Sequence, residues 1–433
     1  MMASIIETIG MANANLKSMY DAAGPLSSRF ESLVCIRCRK ACPLETLSRC
    51  PSCNGVLETR YTLGGEFPTV YQRKSIWDFA EFLPPVRREN IVSLGEGWTS
   101  YMEAPNLAER MGVDSVMCKV EGSNPTGSFK DRAASVGVSL ARQWGKRGIF
   151  TASDGNAGAS ASAYAAAARM RCLIMVGEDV PASKVSQIAM YTPSVLRVGE
   201  LYKSRSSLES ALAQAAKSLP DWMNLFMWAP YNPLMVDAVK TMAYEIALSE
   251  AVPDFVFVPT TGGDLLYGLY KGFRELREMG ILERVPGLIA VQGEGADPTV
   301  QAIEKGLDTV PETGPPTTIA GALRVNFGGE HALRAVRETG GFGVSVPNDS
   351  IVSAQKELAR LEGIFCEISS AAGVAAIKIA ADKGSVTRDQ SVAAILTGFG
   401  LKDYLTSERE SPQVPFVPPS ELDFALRAFI NQL

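Results

Sequence analysis

From Ser75 onward, short apolar runs alternate with longer stretches of helical period. Gly148–Ser153 (GIFTAS), Cys172–Val176, Ser194–Gly199, Asp254–Thr260, Leu288–Gly293 and Ser391–Gly398 are the apolar runs. Between them lie helical patterns such as Ala157–Ala168 and Val239–Ser249. Apolar strands separated by helices predict parallel sheets covered on both faces. The expected fold is therefore α/β, with two doubly wound lobes of mainly parallel sheet. Residues 75–410 form the body, and a smaller lobe of roughly residues 133–240 is inserted in the larger one. Ligands of such sheets gather at the carboxyl ends of the strands. Ser153, Thr260, Gly293 and Gly398 are thus expected around one cleft. At the start of the chain, Ile5, Ile6, Ile9 and Leu16 fit one face of a short amphipathic helix. At the other end, the proline-rich stretch Ser411–Ser420 leads into a capping-box pattern, Ser420-x-x-Asp423. The helix it opens carries Leu422, Leu426, Phe429 and Leu433 on one stripe, which predicts packing on the body or on a partner subunit, a homodimer being the expected assembly.

The 433 residues, 46% hydrophobic, suit two large lobes plus a small module. No run reaches the roughly 18 apolar residues that a membrane span needs, and no basic segment with a long apolar stretch opens the chain. A net charge of −5 argues against nucleic acid as partner. The expectation is a cytoplasmic protein acting on a small molecule. Three of the eight cysteines, Cys118, Cys172 and Cys366, stand alone in apolar surroundings and read as buried hydrophobes. The other five crowd between Cys35 and Cys53. Cys35-x2-Cys38 followed by Cys50-x2-Cys53 can set four thiolates around one tetrahedral zinc, with Gly55 easing the turn and Cys42 left over. Four thiolates leave no open position, so the zinc would be structural, within a zinc-ribbon-like module of residues 1–74. Arg37, Arg39, Lys40, Arg49 and Arg60 make this module locally basic.

Four polar motifs interrupt the α/β pattern. In Asn124–Arg132 (NPTGSFKDR), Pro125 and Gly127 shape a turn and Phe129 is expected to be buried. Lys130 then opens a helix with Ala133, Val136, Leu140 and Trp144 on one face. Desolvation there favours the neutral amine, the form that attacks an aldehyde. Ala152–Ser160 (ASDGNAGAS) offers backbone N–H groups at a helix start, suited to a carboxylate. Val258–Gly268 (VPTTGGDLLYG) turns backbone amides toward an anion, without the spacing of a P-loop or a GxGxxG turn. The fourth is Leu396–Asp403 (LTGFGLKD). The single histidine, His331, reads as structural or surface, which excludes a Ser-His-Asp or His-metal mechanism.

Taken in order, these motifs resemble the tryptophan synthase β-subunit-like (fold type II) pyridoxal-phosphate enzymes, and among them threonine synthase, over about Ser93–Asp403. The resemblance implies that Lys130, beside Phe129, holds pyridoxal 5'-phosphate as a Schiff base. It gives Asn156 to the cofactor's phenolic oxygen, and Thr260, Thr261, Gly262, Gly263, Asp264 and Leu265 to its phosphate. Thr397 falls opposite the pyridine nitrogen, where a hydroxyl makes a weaker electron sink than a carboxylate and favours elimination and replacement. Ser153, Asp154, Ala157 and Asn232 fall on the amino acid substrate.

The sequence departs from threonine synthase in places. Where that family carries NSxNPxR for its substrate phosphate, this chain has Ala229-Pro-Tyr-Asn232-Pro-Leu-Met235, retaining Asn232 and Pro233 but losing the arginine. That argues against O-phosphohomoserine as substrate, because charge-assisted bonds to a phosphate are lost. Trp228, Tyr231 and Met235 are expected to line a more apolar pocket. Asp154 replaces the usual Ser or Thr, as a partner for a second substrate amine, as a base opposite Lys130 or as a cap of the following helix. Gly95–Tyr101 (GEGWTSY), KDRA at Lys130 and Phe399 in place of histidine also differ. The implied chemistry is elimination or replacement on an amino acid. True threonine synthase, an ammonia-lyase or dehydratase, an aminoacrylate-based β-replacement synthase, and a non-catalytic protein with a partner-binding ribbon are the alternatives.

Overall fold

The structure is a computed structural model that describes residues 29–44, 48–68, 70, 72–249, 251–411 and 414–430. Three sheets organise these residues. A small antiparallel sheet is built from β1 (Phe30–Cys35), β2 (Ala41–Cys42) and β3 (Leu57–Tyr61), in the order β2-β1-β3. The largest sheet joins β4 (Tyr101–Glu103), β5 (Ser115–Val120), β10 (Phe255–Pro259), β11 (Gly287–Gly293), β12 (Gly343–Val346) and β13 (Ser391–Leu396), in the order β12-β11-β10-β13-β5-β4. The third sheet joins β6 (Gly148–Ala152), β7 (Arg171–Gly177), β8 (Ser194–Val198) and β9 (Trp222–Asn224), in the order β8-β7-β6-β9.

Both larger sheets are parallel except for β4, which runs antiparallel to β5 along one edge. All six apolar runs named from the sequence are strands in these two sheets. Burial follows position in the sheet. Central strands such as β11 are covered over their whole length, whereas the edge strand β8 leaves Leu196 exposed. β4 had no apolar run to announce it, because three residues, two of them exposed, leave no pattern to read.

Lys130–Gln143 is a helix buried on nearly every side, not on the single face expected. It is packed between the helix Asn156–Ala167 and the short helix Pro233–Asp237, and its small residues allow the approach. Gly137, for instance, leaves room for the Met235 thioether. At the C-terminus, Ser420 lies inside a 3-10 turn (Pro419–Glu421) and does not cap the helix Leu422–Ile430. Leu422, Phe424 (79% exposed) and Leu426 are exposed, so the described part of the expected stripe, Leu422 and Leu426, is not buried on the body. The Phe429 side chain, Leu433 and the N-terminal Ile5–Leu16 segment lie outside the described residues. No described helix is long and apolar enough to cross a membrane.

Candidate active site around Lys130

Lys130 stands at the first position of its helix, half-buried, with its amine 4.7 Å from the centre of the Phe129 ring. Desolvation lowers its pKa, and the charges of Asp264 and Glu367 partly oppose that shift. The residues after it serve as scaffold. Asp131 accepts from the Thr126 backbone N–H (2.7 Å) and hydroxyl (2.6 Å), closing the turn before the lysine. Arg132, fully buried, is paired with Glu121 (2.7 Å) and Glu245 (2.5 Å), and Glu245 also accepts from Lys119 at 2.6 Å. These cations pull the Glu245 carboxyl down to about 2 against the opposing effect of its burial.

The lysine loop is stitched to the loop after β13. Phe129 N–H donates to the Thr397 carbonyl (3.0 Å), Phe399 N–H donates to the Gly127 carbonyl (2.9 Å), and Ser128 bridges Gly398. The Thr397 hydroxyl lies 2.9 Å from that of Ser370. Gly398 presses against Glu367, where a Cβ would fall 2.3 Å from a carboxylate oxygen. The same carboxylate accepts from the Asn156 amide at 2.9 Å. Glu367 therefore ties the loops after β6 and β13 together. It was missed in the sequence, where the only signal is an acidic residue just before a helix of small side chains, Ile368–Asp382.

At the 153–158 loop, Ser153 rather than Asp154 meets the start of the helix, accepting from Gly158 N–H at 2.9 Å and Gly155 N–H at 3.3 Å. Asp154 turns the other way and accepts from Gly177 N–H (2.7 Å) at the end of β7. It is not a cap of the following helix. Ala157 lies in the first turn of that helix.

The loop after β10 turns through Gly263, whose φ of +104 suits glycine, and feeds the helix Asp264–Glu278. Thr260 uses its N–H on Val291 (2.8 Å) and its hydroxyl on Val258 (2.7 Å), so neither donor is turned to a ligand. Thr261, Gly262, Gly263, Asp264 and Leu265 remain as a cradle at the positive end of a helix. The Trp228 indole N–H donates to the Gly262 carbonyl at 3.2 Å, and Asp264 accepts from Ala229 N–H at 2.8 Å. His331, expected to be structural or surface, is fully buried directly behind this loop, its Nε2 3.2 Å from an Asp264 oxygen. Gly293 is the last residue of β11, where it lies against Thr318 and pairs with Val346 of β12.

Two expectations for the 228–238 segment change. Met235 does not line a pocket; it is buried in the core against Gly137 and Leu225. Asn232 donates both amide hydrogens, to the carbonyls of Asn224 (3.0 Å) and Phe226 (2.8 Å), clamping its own loop and leaving only its oxygen for a ligand. Arg205 stacks 4.8 Å over Trp228 and is paired with Glu209 at 2.8 Å.

The Cys35, Cys38, Cys50 and Cys53 sulfurs all lie within 4.8 Å of one another, with Cys35–Cys53 at 3.4 Å and Cys38–Cys50 at 3.6 Å. Tetrahedral zinc–thiolate bonds of about 2.3 Å place sulfurs about 3.8 Å apart, so the donor set fits. A Cβ at Gly55 would come within 2.9 Å of the Cys35 sulfur, which explains the glycine. The small sheet is docked on the body through Arg37–Glu330 (2.6 Å), Glu58–Arg274 (2.9 Å) and the Tyr61 hydroxyl on Asp237.

Residues 92–398 match the family model described as pyridoxal-phosphate dependent enzyme. A threonine synthase of Methanosarcina acetivorans is 36% identical over 368 residues, 83% of this chain and 89% of that protein. One from Methanocaldococcus jannaschii is 34% identical over 380 residues, 85% and 92% of the two chains. Among solved structures, the processed form of threonine deaminase isoform 2 from Solanum lycopersicum has a TM-score of 0.61 at 20% identity, covering 72% of this chain and 87% of that one. A fungal L-serine ammonia-lyase from Rhizomucor miehei has a TM-score of 0.60 at 20% identity, covering 72% and 96%.

Proposed function

Because this chain belongs to the pyridoxal-phosphate-dependent enzymes and is a threonine-synthase-like member of them, we propose that it performs elimination or replacement on an amino acid without a side-chain phosphate. The cofactor, linked through Lys130, would supply the electron sink for charge developing at the substrate Cα. The donor set suits it: a half-buried lysine whose pKa desolvation lowers, an amide at Asn156, a glycine cradle at a helix start, and the paired Thr397 and Ser370 hydroxyls. Lys130, held toward its neutral form, is the group we assign to move the Cα proton at its Nζ. Ser153 and Ala157 would receive the substrate carboxylate at the helix start. Asp154, which accepts from Gly177 N–H, would be the acidic group of this loop that serves as base or as acceptor for a substrate amine.

The observation that carries the substrate reading is Met235. A residue buried against Gly137 supplies no cation, and its neighbours Ala229 and Pro230 supply no side-chain donor. Titrating the holoenzyme with serine, threonine, diaminopropionate and O-phosphohomoserine tests it through the visible absorbance and product analysis. We expect the unphosphorylated amino acids to perturb the spectrum and release ammonia or a replacement product. Efficient conversion of O-phosphohomoserine to threonine would overturn the reading.

Structural zinc on the four cysteines is supported by the sulfur distances, and metal analysis of fresh protein tests it. A homodimer is supported by the outward-facing Leu422, Phe424 and Leu426, a surface that a second copy would cover, and sedimentation at graded concentration tests it. Eight free thiols favour a reducing, cytoplasmic setting.

A further inference from the structure

A cavity of about 210 Å³ lies between the β4–β5 edge of the largest sheet and the end of the helix Thr241–Ala247. None of the residues assigned to cofactor or substrate lines it. It is far larger than the ~10–15 Å³ that one water needs and smaller than the ~300–1,000 Å³ of a drug-sized pocket, so it suits a small molecule. One wall is Trp98–Tyr101, within the Gly95–Tyr101 segment where the chain departs from threonine synthase. Trp98 sits at φ +47, a left-handed backbone that a bulky residue adopts only under constraint. Its indole N–H fixes the ring by donating to Asp78 (2.7 Å) and to the Ser75 carbonyl (3.1 Å).

The floor is charged. Lys119, of β5, is 1% exposed and spends two of its three ammonium protons, on the Thr99 carbonyl (2.7 Å) and on Glu245 (2.6 Å). Glu245 already accepts from three donors, since Arg132 adds bonds of 2.5 and 2.9 Å. At the rim, the exposed Arg73 guanidinium stands 5.1 Å from the centre of the Trp98 ring and pairs with no carboxylate among the described residues. Two cations therefore face the cavity against one carboxylate whose charge is spent on its own partners. A guest's carboxylate would take the third Lys119 proton and the Arg73 fork. Trp98, Tyr101 and Leu248 supply apolar surface for the rest of the guest.

The same floor reaches the lysine helix. Arg132, which shares Glu245 with Lys119, stands two residues after Lys130 in the first turn. A guest that draws Lys119 away from Glu245 changes how Glu245 holds Arg132.

We propose that this cavity binds a small carboxylic acid with an apolar body, and that its occupancy acts on Lys130 through Lys119, Glu245 and Arg132. The binding half stands on the cavity alone, whereas the coupling half rests on Lys130 being the cofactor lysine.

Isothermal titration of the full-length protein with isobutyrate tests the binding, with its neutral counterpart isobutyramide and with inorganic phosphate alongside. Isobutyrate is expected to bind, and isobutyramide about tenfold more weakly or worse, for want of the charge-assisted bonds. Arg73→Ala, a change at an exposed position, should weaken isobutyrate about tenfold. Ser100→Trp, which fills the cavity from its rim, should abolish binding. Ser153→Ala controls for the loop assigned to the substrate carboxylate. Loss of binding in Ser153→Ala with Arg73→Ala unaffected would put isobutyrate in the active site and overturn the proposal. Absence of isobutyrate binding, equal binding of isobutyramide, or binding of phosphate alone would overturn it as well.

Coupling is reciprocal, so isobutyrate affinity should differ about fivefold or more between apo and pyridoxal-phosphate-loaded protein, and isobutyrate should change pyridoxal phosphate affinity by the same factor. Glu245→Gln should remove that difference. If this variant fails to fold, the two affinities of the unsubstituted protein still decide, and equal values with and without the second ligand would end the effect on Lys130. Protein that binds isobutyrate but no pyridoxal phosphate would remove the cofactor reading and the coupling with it, and leave the carboxylate site in place.

Discussion

The two halves of the proposed site, the side we assign to the cofactor and the side we assign to the substrate, are held in place by different means. On the cofactor side, Lys130, Thr397 and Asn156 are located by backbone bonds between neighbouring loops and by Glu367, all close to the reacting position. On the substrate side, the 228–240 segment is anchored from behind. Asp237 is buried with Lys271 (2.7 Å), Lys240 (3.2 Å) and the Tyr61 hydroxyl of the ribbon, while Lys240 and Lys271 share Glu275. A half built on its own contacting backbone resists change. A half fixed from behind can vary residues such as Tyr231, which is only partly buried, without losing its place. This accounts for a chain that keeps its cofactor motifs while its substrate segment departs from threonine synthase.

Substitutions on each side should separate the halves. Lys130→Ala removes the group we assign to fix the cofactor, so the visible band of the holoenzyme should vanish and turnover should fall to background. The fold should survive, because a poorly solvated amine is replaced by a methyl. A retained band would break the assignment.

Glu245→Ala strands Arg132 and Lys119 without a shared partner, a loss of about 3–5 kcal/mol for a buried pair. Urea unfolding at pH 7 should show it. The folded Glu245 carboxyl lies at about 2, below its ordinary 4.5, so its contribution is present above pH 4.5 and fades as pH falls toward 2. The gap between wild type and variant should accordingly shrink at pH 3. A gap independent of pH would mean that the loss comes from packing rather than charge.

Asp237→Asn should cost somewhat less, about 2–3 kcal/mol, since it keeps shape and hydrogen bonding but unbalances Lys240 and Lys271. The comparison predicts a raised KM with an unchanged absorbance band. A shifted band at unchanged KM would show that the anchor serves the cofactor instead. Zinc removal by a chelator should have the smallest effect, lowering Tm by about 5 °C through a loosened ribbon, with the band retained. Thermal scans with and without chelator measure it, and identical curves would separate the ribbon from the body's stability.

Much of this was legible from residue order. The α/β pattern, the six strands named above, the four polar loops and the paired CxxC knuckles all follow from local periodicity and spacing, which act between residues close in the chain. The sequence also marks Lys130 as a lysine among apolar neighbours at a helix start. Tertiary structure alone decided matters of which side chain meets which. Glu367 reaches Asn156 across 211 positions, a coupling that no local pattern announces. Met235 was expected at a pocket wall and lies in the core, because the short Pro233–Asp237 helix packs on Gly137 and directs it inward. Asp154 does not cap the following helix but accepts from Gly177 N–H, since the end of β7 comes beside the loop only when the sheet forms. His331 looked incidental in GGEHALRAV and is enclosed behind the cradle, because Gly263 and Gly329 let two distant segments touch. Secondary structure and motif chemistry are short-range properties and are written locally. The partner that gives a buried charge its meaning is chosen only when the chain closes on itself.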